Sequence, residues 1–435
     1  MVLSRNYLRY FFIFFISFLL SSFIHTVLPL SQEESKILFQ LSLFISIVLF
    51  MLACLYKHTI FKPLELLVLI TACYFLAGGV NWIERGRLVD YYNEYLVLIY
   101  LVVLLFSVNI GYFLYHKRTS DSKNRSHNLF FLYCVIFLGL IFISLDWIIM
   151  GGVPLFFGNE IRHESQPIFR LGYLAGLFST LLLFHKNRNY LFILLYLILA
   201  ILSGYRTFVL VYMLAFFHYI FNFLTITRFK KVVIVFSGLG LFFMINTIKL
   251  YRDIQEFGLD EYIEILNSEG LSKEYLYLSP VIHTVREGPQ IFQRLRDSNK
   301  QFGYGGYFIE NISTILPGDQ RGYGLIYNEL TNAPTNNTKT GTILGAYYID
   351  GGILSIIIFT IFSGFLIGLL SRVHKEERSI ESFFHYSIYV CFLTIWTHGG
   401  SPYTPTFFLL VISCFILTFS LRVNFFPNKI KNIES

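Results

Sequence analysis

Apolar runs of about 20 residues recur from one end of the chain to the other, and that length matches the hydrocarbon core of a bilayer. Hydropathy marks twelve candidate spans, near residues 10–30, 37–56, 64–82, 95–115, 129–150, 171–184, 190–203, 207–225, 232–249, 341–370, 383–398 and 406–421. The sixth and seventh are short, so they must be thin, tilted or extended into partly polar flanks. The first follows Arg5 and Arg9, as the apolar region of a signal peptide would, but it is too long and lacks a small-residue cleavage site. It reads as an anchor. The pattern predicts an all-α, polytopic helical membrane protein with about 12 transmembrane helices and one long extracytoplasmic loop. Residues 1–249 form an N-terminal bundle of about nine helices, residues 250–340 a long polar loop, and residues 341–435 about three C-terminal helices.

Composition sharpens this. Of 435 residues, 55% are hydrophobic and only 14% charged, against about 25% charged in soluble domains. A soluble globular fold, a disordered chain and a disulfide-stapled secreted fold are excluded. Cys54, Cys73, Cys134, Cys391 and Cys414 all fall inside apolar runs and read as small core residues. Charge sets the orientation. The termini and the even-numbered loops carry 19 of the 34 Lys and Arg but only five acidic residues, Asp121, Glu376, Glu377, Glu381 and Glu434. Positive residues near span ends resist translocation, so both termini are expected in the cytoplasm. The net charge of +7 is then a topological signal and not a sign of nucleic-acid binding.

The opposite side holds the polar residues that remain. Residues 250–340 exceed the usual connection length severalfold, and loops of that kind tend to be functional. Leu259, Tyr262, Ile263 and Leu266 recur at helical spacing there, as do Val281, Val285, Ile291, Phe292 and Leu295 after Pro280. Two amphipathic helices are predicted, lying on the membrane surface or capping the bundle. No internal repeat is evident, which weakens an inverted-repeat transporter.

Arg206 sits in Ser203-Gly204-Tyr205-Arg206-Thr207, between two spans with almost no loop to hold it in water. A charge there either faces a polar cavity or bound anion, or snorkels to the interface. Lys249 and Arg252 are three residues apart and share one helical face, which suits an anion or a salt bridge with Asp253 or Glu256. After the tight turn of Gly151, Gly152 and Pro154, residues 151–170 add Arg162, His163, Glu164 and Arg170. The guanidinium fork suits phosphate bidentately. Glu160, His163 and Glu164 are candidates for a general base. In the long loop, His283–Pro289 and Pro317–Gly322, which includes Arg321, combine charges with turn residues. Arg294 is followed by ten residues and then Gly305, which lies in a Gly- and Tyr-rich stretch, Gly303–Tyr307, suited to contact sugar faces.

Absences narrow the chemistry. HExxH, GxSxG, Walker A, GxGxxG and DxD motifs do not occur, so zinc peptidase, serine hydrolase, ATPase and dinucleotide chemistry lack their usual handles. No metal or other cofactor is expected. A pyrophosphate leaving group on a lipid carrier can be held by several arginines without one.

The combination resembles the Wzy-type O-antigen or oligosaccharide repeat unit polymerases. Three stretches carry the resemblance: Gly151–Phe156 leading to Arg162, the Ser203–Thr207 turn, and Asn337–Thr342 running into Gly345–Gly352. The arginine-ten-glycine element of some polymerases is found only at Arg294, since Arg162 and Gly172 are separated by nine residues. The resemblance implies a GT-C-like glycosyltransferase of the bacterial inner membrane that acts on the periplasmic face. It would transfer a growing glycan from undecaprenyl pyrophosphate to the next lipid-linked repeat unit. Its partners would be the lipid-linked donor and acceptor, the bilayer and a chain-length regulator protein, with no nucleic acid. On that scheme Arg206, Arg252, Arg162, Lys249, Arg170 and Arg321 hold the pyrophosphate, and His163, Glu164 or Asp350 activates the acceptor hydroxyl. An O-antigen ligase acting on lipid A core and a lipid-linked oligosaccharide flippase are the alternatives. A flippase would need charges along a path across the membrane, where only Glu65 and Asp146 lie well inside spans.

Overall fold

The computed structural model describes residues 2–57, 59, 62–79, 92–114, 129–157, 167–187, 190–203, 206–224, 227–268, 271–298, 302–313, 322–332 and 341–400. Within its helices some side chains, those of Arg170, Arg206, Lys249 and Arg252 among them, are not described. Among the described residues the regular structure is entirely helical: α1 Val2–Val27, α2 Gln32–Tyr56, α3 Pro63–Gly79, α4 Tyr92–Leu114, α5 Leu129–Ile149, α6 Pro154–Phe157, α7 Pro167–Asn187, α8 Leu191–Leu202, α9 Arg206–Phe223, α10 Arg228–Phe257, α11 Leu259–Ser268, α12 Ser279–Asp297, α13 Gly306–Ser313, α14 Tyr323–Leu330, α15 Thr342–Glu377 and α16 Ile380–Gly399. The protein is an all-α polytopic membrane protein. Helices α1, α2, α4, α5 and α15 are long and apolar enough to cross a bilayer, and α3, α8 and most of α9 are shorter apolar helices.

Eleven of the twelve expected spans fall on helices, and the twelfth lies outside the described residues. The short sixth span lengthens into the 21-residue α7 by starting at Pro167, in its polar flank. Local chemistry sets other boundaries. Ser31 caps α2 by accepting the Glu34 N–H, while the Glu34 carboxylate accepts the Ser31 N–H at 2.8 Å, a reciprocal capping box.

Chain packing divides the protein into two units, one of residues 1–116 and 213–404, the other of 117–212 and 405–435. In the first, α4 lies along α15 with unusually close backbones. Side chains at Gly364 and Gly368 would overlap the carbonyl oxygens of Leu104 and Val108, and one at Gly111 would overlap that of Phe365. Small residues four apart allow this approach where lipid offers no hydrophobic drive for association. In the second unit, Gly139 and Gly176 admit the ring of Tyr196 from α8, whose hydroxyl donates to the Ile136 carbonyl at 2.7 Å. Gly172 also packs here, directly on Phe142.

Cys54 and Cys391 are buried, as small core residues should be. Cys73 and Cys134 are exposed on their helices instead. Hydropathy alone does not separate a lipid-facing position from a core one, since both are apolar. Cys414 lies outside the described residues.

Both amphipathic helices predicted in the long loop form. In α11, Tyr262 and Leu266 are buried with Leu250 and Leu271, while Ile263 is half-buried and Leu259, at the helix start, is exposed. In α12, Ile291, Phe292 and Leu295 are buried, and the helix packs on α3, α15 and α16. It caps the bundle. Gly288 and Pro289, which read as turn residues in sequence, lie inside α12 and are buried. The reason is tertiary: a side chain at Gly288 would strike the Tyr74 hydroxyl and the Thr342 methyl, and one at Gly78 would strike Pro289. The Tyr74 hydroxyl donates to the Thr284 carbonyl at 3.1 Å and meets His398 Nδ1 at 3.0 Å, fixing α12 to α3 and α16.

At the other end of this unit, Tyr10 bonds Thr59 at 2.9 Å and reaches the Glu65 carboxylate at 3.5 Å, while Lys375 donates to Tyr112 at 2.8 Å. Glu65 therefore belongs to a local polar cluster.

Candidate active site

Where hydropathy predicts one continuous span at 341–370, the structure breaks it. Helical dihedrals fail at Gly351 and Gly352, and Gly352 has φ 65° and ψ −144°, a conformation that a Cβ would make costly. A broken helix leaves carbonyls without helical donors. The loop at 302–305 supplies one, because the Gly303 N–H donates to the Ile349 carbonyl at 2.9 Å. The Phe302 ring then lies over the break, 3.2 Å from where a Cβ on Gly352 would stand.

Asp350, the last residue before the break, is 1% exposed. Its Oδ1 accepts from the backbone N–H groups of Gly305 at 3.1 Å, Tyr307 at 3.2 Å and Phe308 at 3.4 Å. These are the open donors at the start of α13. The segment has no Ser, Thr, Asn or Asp at that point to cap itself, so a carboxylate from another helix does so, where the helix dipole also favours negative charge. Gly305 can present its N–H because it adopts φ 86°. Oδ2 accepts from the Tyr323 hydroxyl of α14 at 2.9 Å. One carboxylate thus joins α13, α14 and α15. Burial and the neighbouring Asp350 charge push the Tyr323 phenol well above its ordinary value, and the same two causes raise Tyr327.

Beside this joint lies a cavity of about 50 Å³ lined by Leu295, Arg296, Ser298, Phe302, Leu330, Tyr348 and Ile349. The Arg296 side chain is 6% exposed. It donates from Nη1 to Asn93 Oδ1 at 3.2 Å, and Asn93 in turn donates to the Pro289 carbonyl at 3.2 Å. Phe302 meets Tyr348 edge to face, with ring centroids 5.7 Å apart.

A family model described as "Putative O-antigen polymerase" matches residues 3–410. The chain belongs to the O-antigen polymerase family. No curated protein and no solved structure matches it.

The expected site residues of this O-antigen polymerase family member are distributed as follows. Asp350 is at the loop-bearing end of α15. Lys249 and Arg252 lie within the continuous α10, which keeps their three-residue spacing on one helical face, and the loop they precede is the long one. Arg206 is the first residue of α9, four positions after α8 ends at Leu202, and Arg170 is in the first turn of α7. Arg162, His163, Glu164 and Arg321 lie outside the described residues, as do Asn337–Thr340. No cluster of three metal-ligating side chains occurs among the described residues.

Sequence reasoning passed over Arg296, Asn93, Phe302 and Tyr323. The motif points to Arg294, which is exposed, whereas the side chain of Arg296 two residues on is 6% exposed. A signal existed: Arg296 follows the buried Phe292 by four residues and so shares its helical face.

Proposed function

We propose that this protein polymerises undecaprenyl-pyrophosphate-linked oligosaccharide repeat units into O-antigen or a related surface polysaccharide. Transfer takes place on the periplasmic face of the bacterial inner membrane, with both termini in the cytoplasm. The family match over nearly the whole chain carries this reading. The donor glycan's anomeric carbon is attacked by a hydroxyl of the acceptor unit, the bond to pyrophosphate breaks, and the lipid-linked pyrophosphate leaves. Arg206, Arg252 and Arg162, with Lys249, Arg170 and Arg321, neutralise the charge that develops on the leaving group, which needs no metal.

His163 or Glu164 takes the acceptor proton. Asp350 is the third candidate for that role, but both of its oxygens already accept hydrogen bonds from α13 and α14. Its contribution here is to hold the loop-bearing end in shape. A chain-length regulator protein is a further partner of the scheme.

The test is deletion of the gene and display of the surface polysaccharide beside the complemented strain. A ladder that collapses to one repeat unit on the core supports polymerisation. Loss of all glycan from the core, with polymer still on its carrier, would mean a ligase, and loss of both a flippase or an earlier step.

A further inference from the structure

The cavity next to the Asp350 joint has the features of a sugar subsite. It is concave, carries a few converging polar groups, and has an aromatic wall, the usual composition of small-ligand sites. Its polar group is a guanidinium that the protein has already desolvated and oriented. Asn93 holds one terminal nitrogen of the Arg296 guanidinium, the Pro289 carbonyl fixes Asn93, and the other terminal nitrogen stands 3.7 Å from the Asp297 carboxylate. Its wall is Phe302 and Tyr348, and Phe302 is itself 39% exposed and edge to face with Tyr304, which is 83% exposed. The two rings stand at 83° to each other and are open at one rim, so they form an apolar corner in which a sugar's C–H face lies against one ring and its edge meets the other.

Size limits what enters. A water occupies roughly 10–15 Å³ of such a cavity, so about 50 Å³ holds a group of three or four heavy atoms. That is an exocyclic substituent and not a pyranose ring. The floor is mixed, with Leu295, Leu330 and Ile349 beside Arg296 and Ser298.

Building on the polymerase reading, we propose that Arg296, Ser298, Phe302 and Tyr348 form a specificity subsite for one sugar of the repeat unit. The sugar ring lies in the corner between Phe302 and Tyr304, and an oxygen-bearing exocyclic group, a carboxylate or acetamido carbonyl, enters the cavity and accepts from the Arg296 guanidinium. The subsite differs in role from the pyrophosphate set, since it reads the glycan and not its leaving group.

The experiment uses the full chain in nanodiscs and the native repeat-unit oligosaccharide freed of its lipid. Binding is followed by saturation-transfer NMR, with inorganic pyrophosphate as competitor. The wild type should bind the oligosaccharide, and pyrophosphate should not displace it. Arg296→Gln should weaken binding about tenfold or more, as expected for loss of a charge-assisted hydrogen bond, and Arg296→Lys should restore part of it. Because Arg296 is buried, Phe302→Ala and the surface change Tyr304→Ala provide independent arms, each expected to weaken binding several-fold. In elongation assays the same variants should raise KM for the lipid-linked unit more than they lower kcat. No binding by the wild type, displacement by pyrophosphate, or unchanged affinity in Tyr304→Ala and Phe302→Ala would overturn the subsite. Those outcomes concern oligosaccharide affinity alone, whereas the polymerase reading is decided by the deletion ladder.

Discussion

Asp350 accepts the Tyr323 hydroxyl at 2.9 Å with one oxygen and three backbone N–H groups with the other, so a single buried carboxylate terminates one helix of the bundle and caps another in the loop. Removing it orphans four donors. Asp350→Ala should lower stability by about 3 kcal/mol or more, and Asp350→Asn, which keeps one acceptor oxygen, by about 1–2 kcal/mol. Unfolding of the detergent-solubilised variants should rank them in that order. An Asp350→Asn protein as active and stable as wild type would remove the joint from the account.

The Tyr323 phenol is raised above its ordinary value of 10.0, chiefly by burial and then by the Asp350 charge. Because the folded value is the higher one, the protonated phenol's contribution is complete below about pH 10 and is lost as pH rises further, where the unfolded chain releases the proton more readily. Thermal midpoints measured from pH 8 upward should therefore fall less steeply above pH 10 in Tyr323→Phe than in wild type. Below pH 9 the two slopes should be parallel.

Gly352→Ala should destabilise the break in α15 by about 1–3 kcal/mol, because φ 65° with ψ −144° disfavours a Cβ and the added carbon crowds Phe302. Gly368→Leu acts in the membrane instead, forcing α4 away from α15 at the Val108 carbonyl. Quantifying folded protein by fluorescence-detected size exclusion should show a partial loss for the first and little or no monodisperse protein for the second.

Arg206→Ala should abolish polymer while leaving single repeat units on the core. Arg206→Lys should recover only part of the ladder, since a point charge does not replace a bidentate fork. Chain lengths on a gel give the answer directly, and a normal ladder in the alanine variant would dismiss Arg206 from the pyrophosphate set.

Much of this protein follows from its sequence alone. The apolar runs place the helices because hydrophobic length is a local property, and the 3.6-residue stripes of α11 and α12 reveal their buried faces for the same reason. What the sequence leaves open depends on partners distant along the chain. Asp350 is 45 residues from Gly305 and 27 from Tyr323, and Arg296 is 203 from Asn93. No periodicity records such pairings, so the sequence offers Asp350 as a candidate base but not the four hydrogen bonds that its two oxygens accept. Likewise, Arg294 carried the motif while Arg296 went inside, and Gly288-Pro289 resembled a turn while serving as the contact surface of a helix. Tertiary packing decided each of these, because a buried polar group is defined by the donors and acceptors that surround it, and only the folded chain brings them together.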